Sequence, residues 1–269
     1  MQQSGPSWQA VQNQNLPAKL SGHTNFVPAA ALDLKGKYIR LPILMYHHIG
    51  EIPQNAVNDE VRKGLTVSPA NFEEQMSWLS GAGYHSVSLE DLLKFSQGEF
   101  KMPDNPIIIT FDDGYEDALL NAPPILKKYG FSGSFAIITQ FPGIKYGTNV
   151  YATWQEIRSA KNQGMEIVSH TQDHFDGSNA KYDDGFILRN LQGARKDLKD
   201  NLGVDTQILI YPFGHYTQNY INLAKQAGYE IGVTTRESKQ VELDKLMEVP
   251  RVRISDATTL PGFKKLLSE

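Results

Sequence analysis

The chain has 269 residues, a formal net charge of −4, 40% hydrophobic residues and no cysteine. That balance is ordinary for a globular protein and leaves no basic face for nucleic acid or an anionic membrane. Disulfides, thiolate metal sites and cysteine nucleophiles are excluded, and no apolar run approaches the roughly 20 residues that span a bilayer.

Residues 1–40, rich in Gln, Asn, Ser, Pro and Ala, read as a flexible leader behind a removed export signal, with Met1 added. That places the protein outside the cytoplasm. Residues 41–269 read as one domain of alternating strands and helices. "ILMY" (Ile43–Tyr46) is a strand that runs into His47 and His48. Ser68 and Pro69 open a helix that closes at Gly81 or Gly83 and puts Phe72, Met76 and Leu79 on one face. "SLEDLLKFSQG" gives a second, shorter helix. "NPIIITFDDGY" is a continuous apolar strand, as expected when both faces are covered. "EDALLNAPPILKKYG" reads as a helix broken at Pro123 and Pro124. Strands at "GSFAIIT", "MEIVSH", "TQILIYPFG", "EIGVTT" and "EVPRVRI" then alternate with helices, the last strand edge-like and followed by a closing helix. About seven such units imply parallel strands and right-handed crossovers, and so an α/β barrel rather than an open doubly wound sheet. No G-x-G-x-x-G follows the first strand, so a dinucleotide fold has no support.

The polar residues that interrupt this pattern lie just after strands: Tyr46-His47-His48, Asp112-Asp113, His170 and Pro212-Phe213-Gly214. In a parallel barrel those ends form one rim, where catalytic groups collect. In "SHTQDH", His170 and His174 are spaced so that one tight turn can bring both imidazoles to one side. Two histidines and one carboxylate make a facial ligand set for Zn²⁺ or another divalent ion. Alone, the histidines read equally as an exposed loop pair, and Asp-Asp-Gly as a plain turn. Together each supplies what the other lacks, since two adjacent aspartates need a cation to coexist. The zincin motif is absent, because Thr171 stands where its glutamate would be.

Thr110-Phe111-Asp112-Asp113-Gly114 followed by Ser169-His170-Thr171-Gln172-Asp173-His174 resembles the first two motifs of the NodB-type polysaccharide deacetylases, carbohydrate esterase family four. The resemblance runs from about Leu41 to the C-terminus and implies a distorted (β/α)7-type barrel. It also implies that Asp112 is the general base and that Asp113, His170 and His174 hold one divalent ion: zinc first, with nickel, cobalt or iron as alternatives. "YPFG" resembles the third motif, which assigns an oxyanion-binding backbone N–H to Phe213 and puts Tyr211 beside it. Tyr115 and Tyr46 are further rim aromatics able to stack on sugar rings, while Trp154 reads as packing.

Two features depart from the usual family pattern. Ile210 stands where an arginine is usual, and no histidine follows His215. "ILMYHHIG", "YATWQEIR" and "VPRVRI" resemble the poly-N-acetylglucosamine deacetylases, whose motifs are circularly permuted. That resemblance makes His47 the acid for the leaving amine, with His48 the alternative, and offers Arg251 as the replacement arginine steering Asp112. The implied activity is metal-dependent N-deacetylation of an N-acetylglucosamine polysaccharide by a monomer. An O-acetyl xylan esterase and a non-catalytic carbohydrate-binding barrel are the alternatives.

Overall fold

The computed structural model describes residues 37–268. Seven strands form the framework: β1 (Ile43–Tyr46), β2 (Pro106–Phe111), β3 (Ser134–Ile137), β4 (Glu166–Ser169), β5 (Ile208–Ile210), β6 (Ile231–Glu237) and β7 (Val249–Arg253). Each pairs in parallel with the next in chain order. The sheet closes because β7 pairs with β1, at Val252↔Leu44 and Arg253↔Met45. The expected α/β barrel is therefore present as a closed ring. The surrounding helices are α1 (Pro69–Gly81), α2 (Leu89–Ser96), α3 (Glu116–Lys128), α4 (Trp154–Asn162), α5 (Asp184–Leu202), α6 (Gln218–Gln226) and α7 (Leu260–Ser268). Ser68 caps α1, and capping boxes at Ser88/Asp91 and Thr153/Glu156 start α2 and α4.

Strand parity decides what faces the barrel axis. Ile43, Ile108, Ala136, Val168, Ile208, Ile210, Ile231, Val233 and Val249 share one buried cluster to which all seven strands contribute, so it fills the interior. The alternate residues Leu44, Ile109, Phe111, Ile137 and Ile167 pack outward, with Phe72 and Met76 of α1 and with Leu119 and Leu126 of α3. Continuing the inward phase leads from Ile43 and Met45 to His47, from Ile108 to Thr110 and Asp112, from Val168 to His170, and from Val249 to Arg251. The site is the top layer of the barrel's own interior.

Three sequence expectations change. The helix over "EDALLNAPPILKK" is unbroken: two prolines remove only two amides, and a buried face of Ala118, Leu119, Ala122, Pro123 and Leu126 holds it in place. The domain begins before residue 41, because Tyr38–Arg40 pairs antiparallel with Gln240–Glu242 and buries Ile39 completely. The rest of the expected leader, residues 1–36, lies outside the described residues. Strand β7 is no edge; it lies between β6 and β1, and Arg251 on it is buried rather than solvated.

Candidate active site

Asp112 and Asp113 are neighbours that point to different partners, and the backbone explains how. The Asp112 amide donates to the Tyr46 carbonyl at 2.9 Å, extending the β1–β2 ladder. Asp113 then turns into the left-handed region, φ 71°, and Gly114 follows at φ 75°. A β-carbon on Gly114 would also lie 3.2 Å from Ile137 Cδ1, so glycine suits both the angle and the space. Among the described residues five non-glycine positions have positive φ, and four of them, Asp113, Thr171, His174 and Phe213, lie on the loops of this site. Such conformations each cost about 1–3 kcal/mol and persist where surrounding structure enforces them.

Asp113 Oδ1 lies 3.1 Å from His170 Nε2 and 3.2 Å from His174 Nε2. These three side chains are the group among the described residues whose ligand atoms converge, all within 4.8 Å of one another. His170 Nδ1 lies 2.7 Å from the Ile210 carbonyl, which can only accept, so Nδ1 carries the hydrogen. In the neutral ring Nε2 then aims a lone pair at a carboxylate oxygen. Only a positive species between them, a proton or a metal ion, reconciles that contact. Two imidazoles and one carboxylate oxygen suit a zinc-like divalent ion, and the Ile210 carbonyl is the outer partner that orients such a ligand. Burial would push the Asp113 pKa up, but the two imidazoles hold it well below the usual carboxylate range. Burial likewise opposes a charged His170, and the Asp113 contact outweighs it, leaving the His170 pKa raised.

Asp112 is held from the other side. Arg251 Nη1 and Nη2 donate to its two oxygens, each at 2.7 Å, in a bidentate pair. Arg251 Nη1 also donates to Thr110 Oγ1 at 3.0 Å, and Nε to the Thr234 carbonyl at 2.9 Å. The register between β6 and β7 breaks just before Arg251, from Val233↔Val249 to Glu237↔Arg251. Burial raises the Asp112 pKa, but the guanidinium more than offsets it, so the carboxyl stays ionised.

His47 Nε2 lies 3.9 Å from Asp112 Oδ2. Burial lowers its pKa to about 4, against the opposing pull of Asp112 and Asp113. His48 has the other parity and leaves the site: its Nδ1 is 2.9 Å from Asp117 Oδ2 and its Nε2 is 2.6 Å from Arg62 Nη1. Because a guanidinium only donates, Nε2 accepts and Nδ1 donates, which fixes His48 as a neutral ring. The Tyr115 ring stacks on it at 3.6 Å.

The remaining sequence candidates separate. Phe213 stands at the rim, 53% exposed, its ring 4.6 Å from that of His174. Tyr115 is buried beside Asp113, and burial first, then that carboxylate, raises its pKa. Tyr211 and Tyr46 lie in the core: Tyr211 donates to the Met247 carbonyl at 3.1 Å and Tyr46 to Gln75 Oε1 at 2.7 Å. Both phenols are fully buried and neither reaches the rim, because the strand parity turns them outward under the helices. Trp154 packs against the outer core, as expected. Arg62, Asp117 and Asn149 were not singled out from sequence; an isolated arginine in a surface helix carries no signal of where it will be buried.

A closed parallel barrel with a clamped carboxylate and an Asp-His-His cluster at its C-terminal mouth has the layout of a hydrolytic enzyme. The chain belongs to the polysaccharide deacetylase family. The model of that family, described as polysaccharide deacetylase, matches residues 99–232. That span holds Asp112, Asp113, His170, His174 and Phe213; His47, just after β1, and Arg251, on β7, lie outside it. YxkH of Bacillus subtilis (strain 168), whose name assigns it to the polysaccharide deacetylases, is 30% identical over 231 residues, covering 84% of this chain and 76% of its own. The poly-beta-1,6-N-acetyl-D-glucosamine N-deacetylase of Staphylococcus aureus (strain MRSA252) is 28% identical over 202 residues, 72% of this chain and 69% of that one. The solved Streptococcus pyogenes deacetylase PplD, in complex with acetate, superposes with a TM-score of 0.75 at 26% identity, covering 85% of this chain and 98% of that one.

Proposed function

We propose that this enzyme removes N-acetyl groups from an N-acetylglucosamine polymer outside the cytoplasm, acting as a monomer with one divalent metal ion, zinc first. The observation that carries the reading is the division of two adjacent carboxylates: Asp113 faces two imidazoles, while Asp112 is clamped by Arg251 with His47 3.9 Å beyond. The names of the relatives support the polymer class. Among the described residues no helix is long and apolar enough to cross a membrane.

Asp113, His170 and His174 would hold the ion. A divalent ion there supplies a polarised acetamide carbonyl and a water of lowered pKa. Asp112, kept ionised by Arg251, takes the proton of the attacking water. His47 rests neutral, so it gains its proton during turnover from the neighbouring Asp112 and passes it to the departing amine. The Phe213 backbone N–H and the rim around it receive the developing oxyanion, as the resemblance implies. A histidine in this place favours amides over esters, because an amine leaves only when protonated.

The test is to incubate the metal-loaded protein with poly-β-1,6-N-acetylglucosamine, chitin oligomers, peptidoglycan and acetylated xylan, assaying acetate and free amines. Equal release of acetate and amine from a glucosamine polymer is expected. Acetate from xylan alone, without amines, would replace this reading with the esterase.

A further inference from the structure

Beyond the metal ligands a hairpin, Lys145–Tyr146 with Asn149–Val150, projects at the rim. It stands against the loop that carries Asp113: the Ala152 amide donates to the Gly114 carbonyl at 3.0 Å, and the Tyr151 and Tyr115 rings lie 5.1 Å apart. None of residues 145–150 enters a buried apolar cluster, and Tyr146 is 77% exposed. The hairpin therefore builds no core.

It is nevertheless tied down by a buried cation. Arg62, 6% exposed on the short helix Glu60–Gly64, donates to Asn149 Oδ1 at 2.9 Å through the same Nη1 that meets His48. Its Nη2 donates to Asp117 Oδ2 at 3.1 Å. Asn149 Nδ2 reaches the Tyr115 hydroxyl at 3.5 Å, and Tyr115 stacks on His48, so the ties form a closed ring of four residues. Burying a guanidinium is costly, and such networks are poor stabilisers compared with apolar packing. What this one achieves is a fixed direction for the hairpin.

We infer that this hairpin is a distal sugar subsite, with Tyr146 as its stacking ring and Arg62 as the residue that positions it. A polymer must continue past the unit whose acetamide is attacked. The two large exposed aromatic side chains among the described residues stand at this rim: Phe213 against the ligand His174, and Tyr146 on the hairpin behind the ligand Asp113. Sugar rings present apolar C–H faces to such side chains. The inference rests on the glucosamine-polymer reading above.

The experiment measures kcat/KM and calorimetric Kd for N-acetylglucosamine oligomers from dimer to hexamer, using parent, Tyr146→Ala, Asn149→Ala and Arg62→Met. Tyr146→Ala should lose about three- to tenfold on the hexamer, in KM and Kd rather than kcat, with the loss shrinking toward the dimer. Asn149→Ala releases the hairpin while leaving the buried guanidinium its His48 and Asp117 partners, and should show the same length dependence, which keeps the test decisive if Arg62→Met fails to fold. Losses equal at every length, or no loss on the hexamer, would overturn the subsite while leaving the proposed function standing. A parent that neither binds nor deacetylates any oligomer would overturn both.

Discussion

Arg251 and Asp112, 139 positions apart in the chain, meet in a bidentate pair with both bonds at 2.7 Å inside the barrel mouth. The planar fork both orients the carboxylate and keeps it charged. A lysine would preserve the charge and lose the geometry. Arg251→Lys is expected to lower kcat on an N-acetylglucosamine oligomer. Because the bidentate bonds as well as the charge hold the Asp112 pKa down, losing those bonds lets that pKa rise in part, and the acid limb of the kcat/KM profile moves to higher pH. An unmoved limb would separate Arg251 from the state of Asp112.

The two aspartates are expected to fail differently. Asp112→Asn should keep metal affinity within about tenfold and lose roughly 10² to 10⁴ in kcat, the usual worth of a general base. Asp113→Asn and the pair His170→Ala with His174→Ala should lose the metal, read by competition with a chelating dye. The opposite pattern would exchange the roles.

His47→Ala should lose roughly 10² to 10⁴ on an acetamide and far less on an aryl acetate, whose leaving group needs no proton. Equal losses on the two substrates would mean that His47 only holds the site together. His48→Ala, which unbinds Asp117 and Arg62, should show no such preference between amide and ester.

The His47 pKa, lowered by burial to about 4 from 6.5, ties stability to pH. The unfolded chain takes up its proton near pH 6.5 and the folded one only near 4. Stability from this group is thus complete above 6.5 and falls as pH drops through that window. His47→Gln should flatten the fall in unfolding free energy between pH 6.5 and 4 in chelator, by about 3 kcal/mol. An unchanged slope would show that the ring protonates freely in the native state.

Chelation should abolish hydrolysis while circular dichroism keeps its native shape, because a closed barrel with cores on both faces of its sheet does not depend on one ion. Unfolding on chelation would make the metal structural.

The barrel and its rim were legible because apolar strands and capped helices alternate and the ionisable residues fall at strand ends. The different placement of His47 and His48 was also within reach: counting inward from Ile43 puts His47 at the barrel mouth and His48 outside it, once the interior phase is known. Arg251 was harder. In "VPRVRI" nothing local reveals that β1 closes against β7, and only that closure converts an apparent edge residue into a buried one. Tyr211 differs for another reason: its place in a motif does not reveal that strand parity turns it outward. The Arg62–Asn149 tie depends on two loops that meet only in the folded chain, so no local pattern announces it.

The closed seam between β7 and β1 also sets when the Arg251–Asp112 pair can form. Asp112 emerges from the ribosome with one of its neighbours, His47, already made, but it must wait for Arg251 on the last stave. Until then the carboxylate has no counter-ion and the ring has an open side. Partial chains released by stalled synthesis or proteolysis before β7 therefore cannot form the Arg251–Asp112 pair. On the proposed mechanism, hydrolysis of substrate becomes a report that the whole barrel has been made and shut.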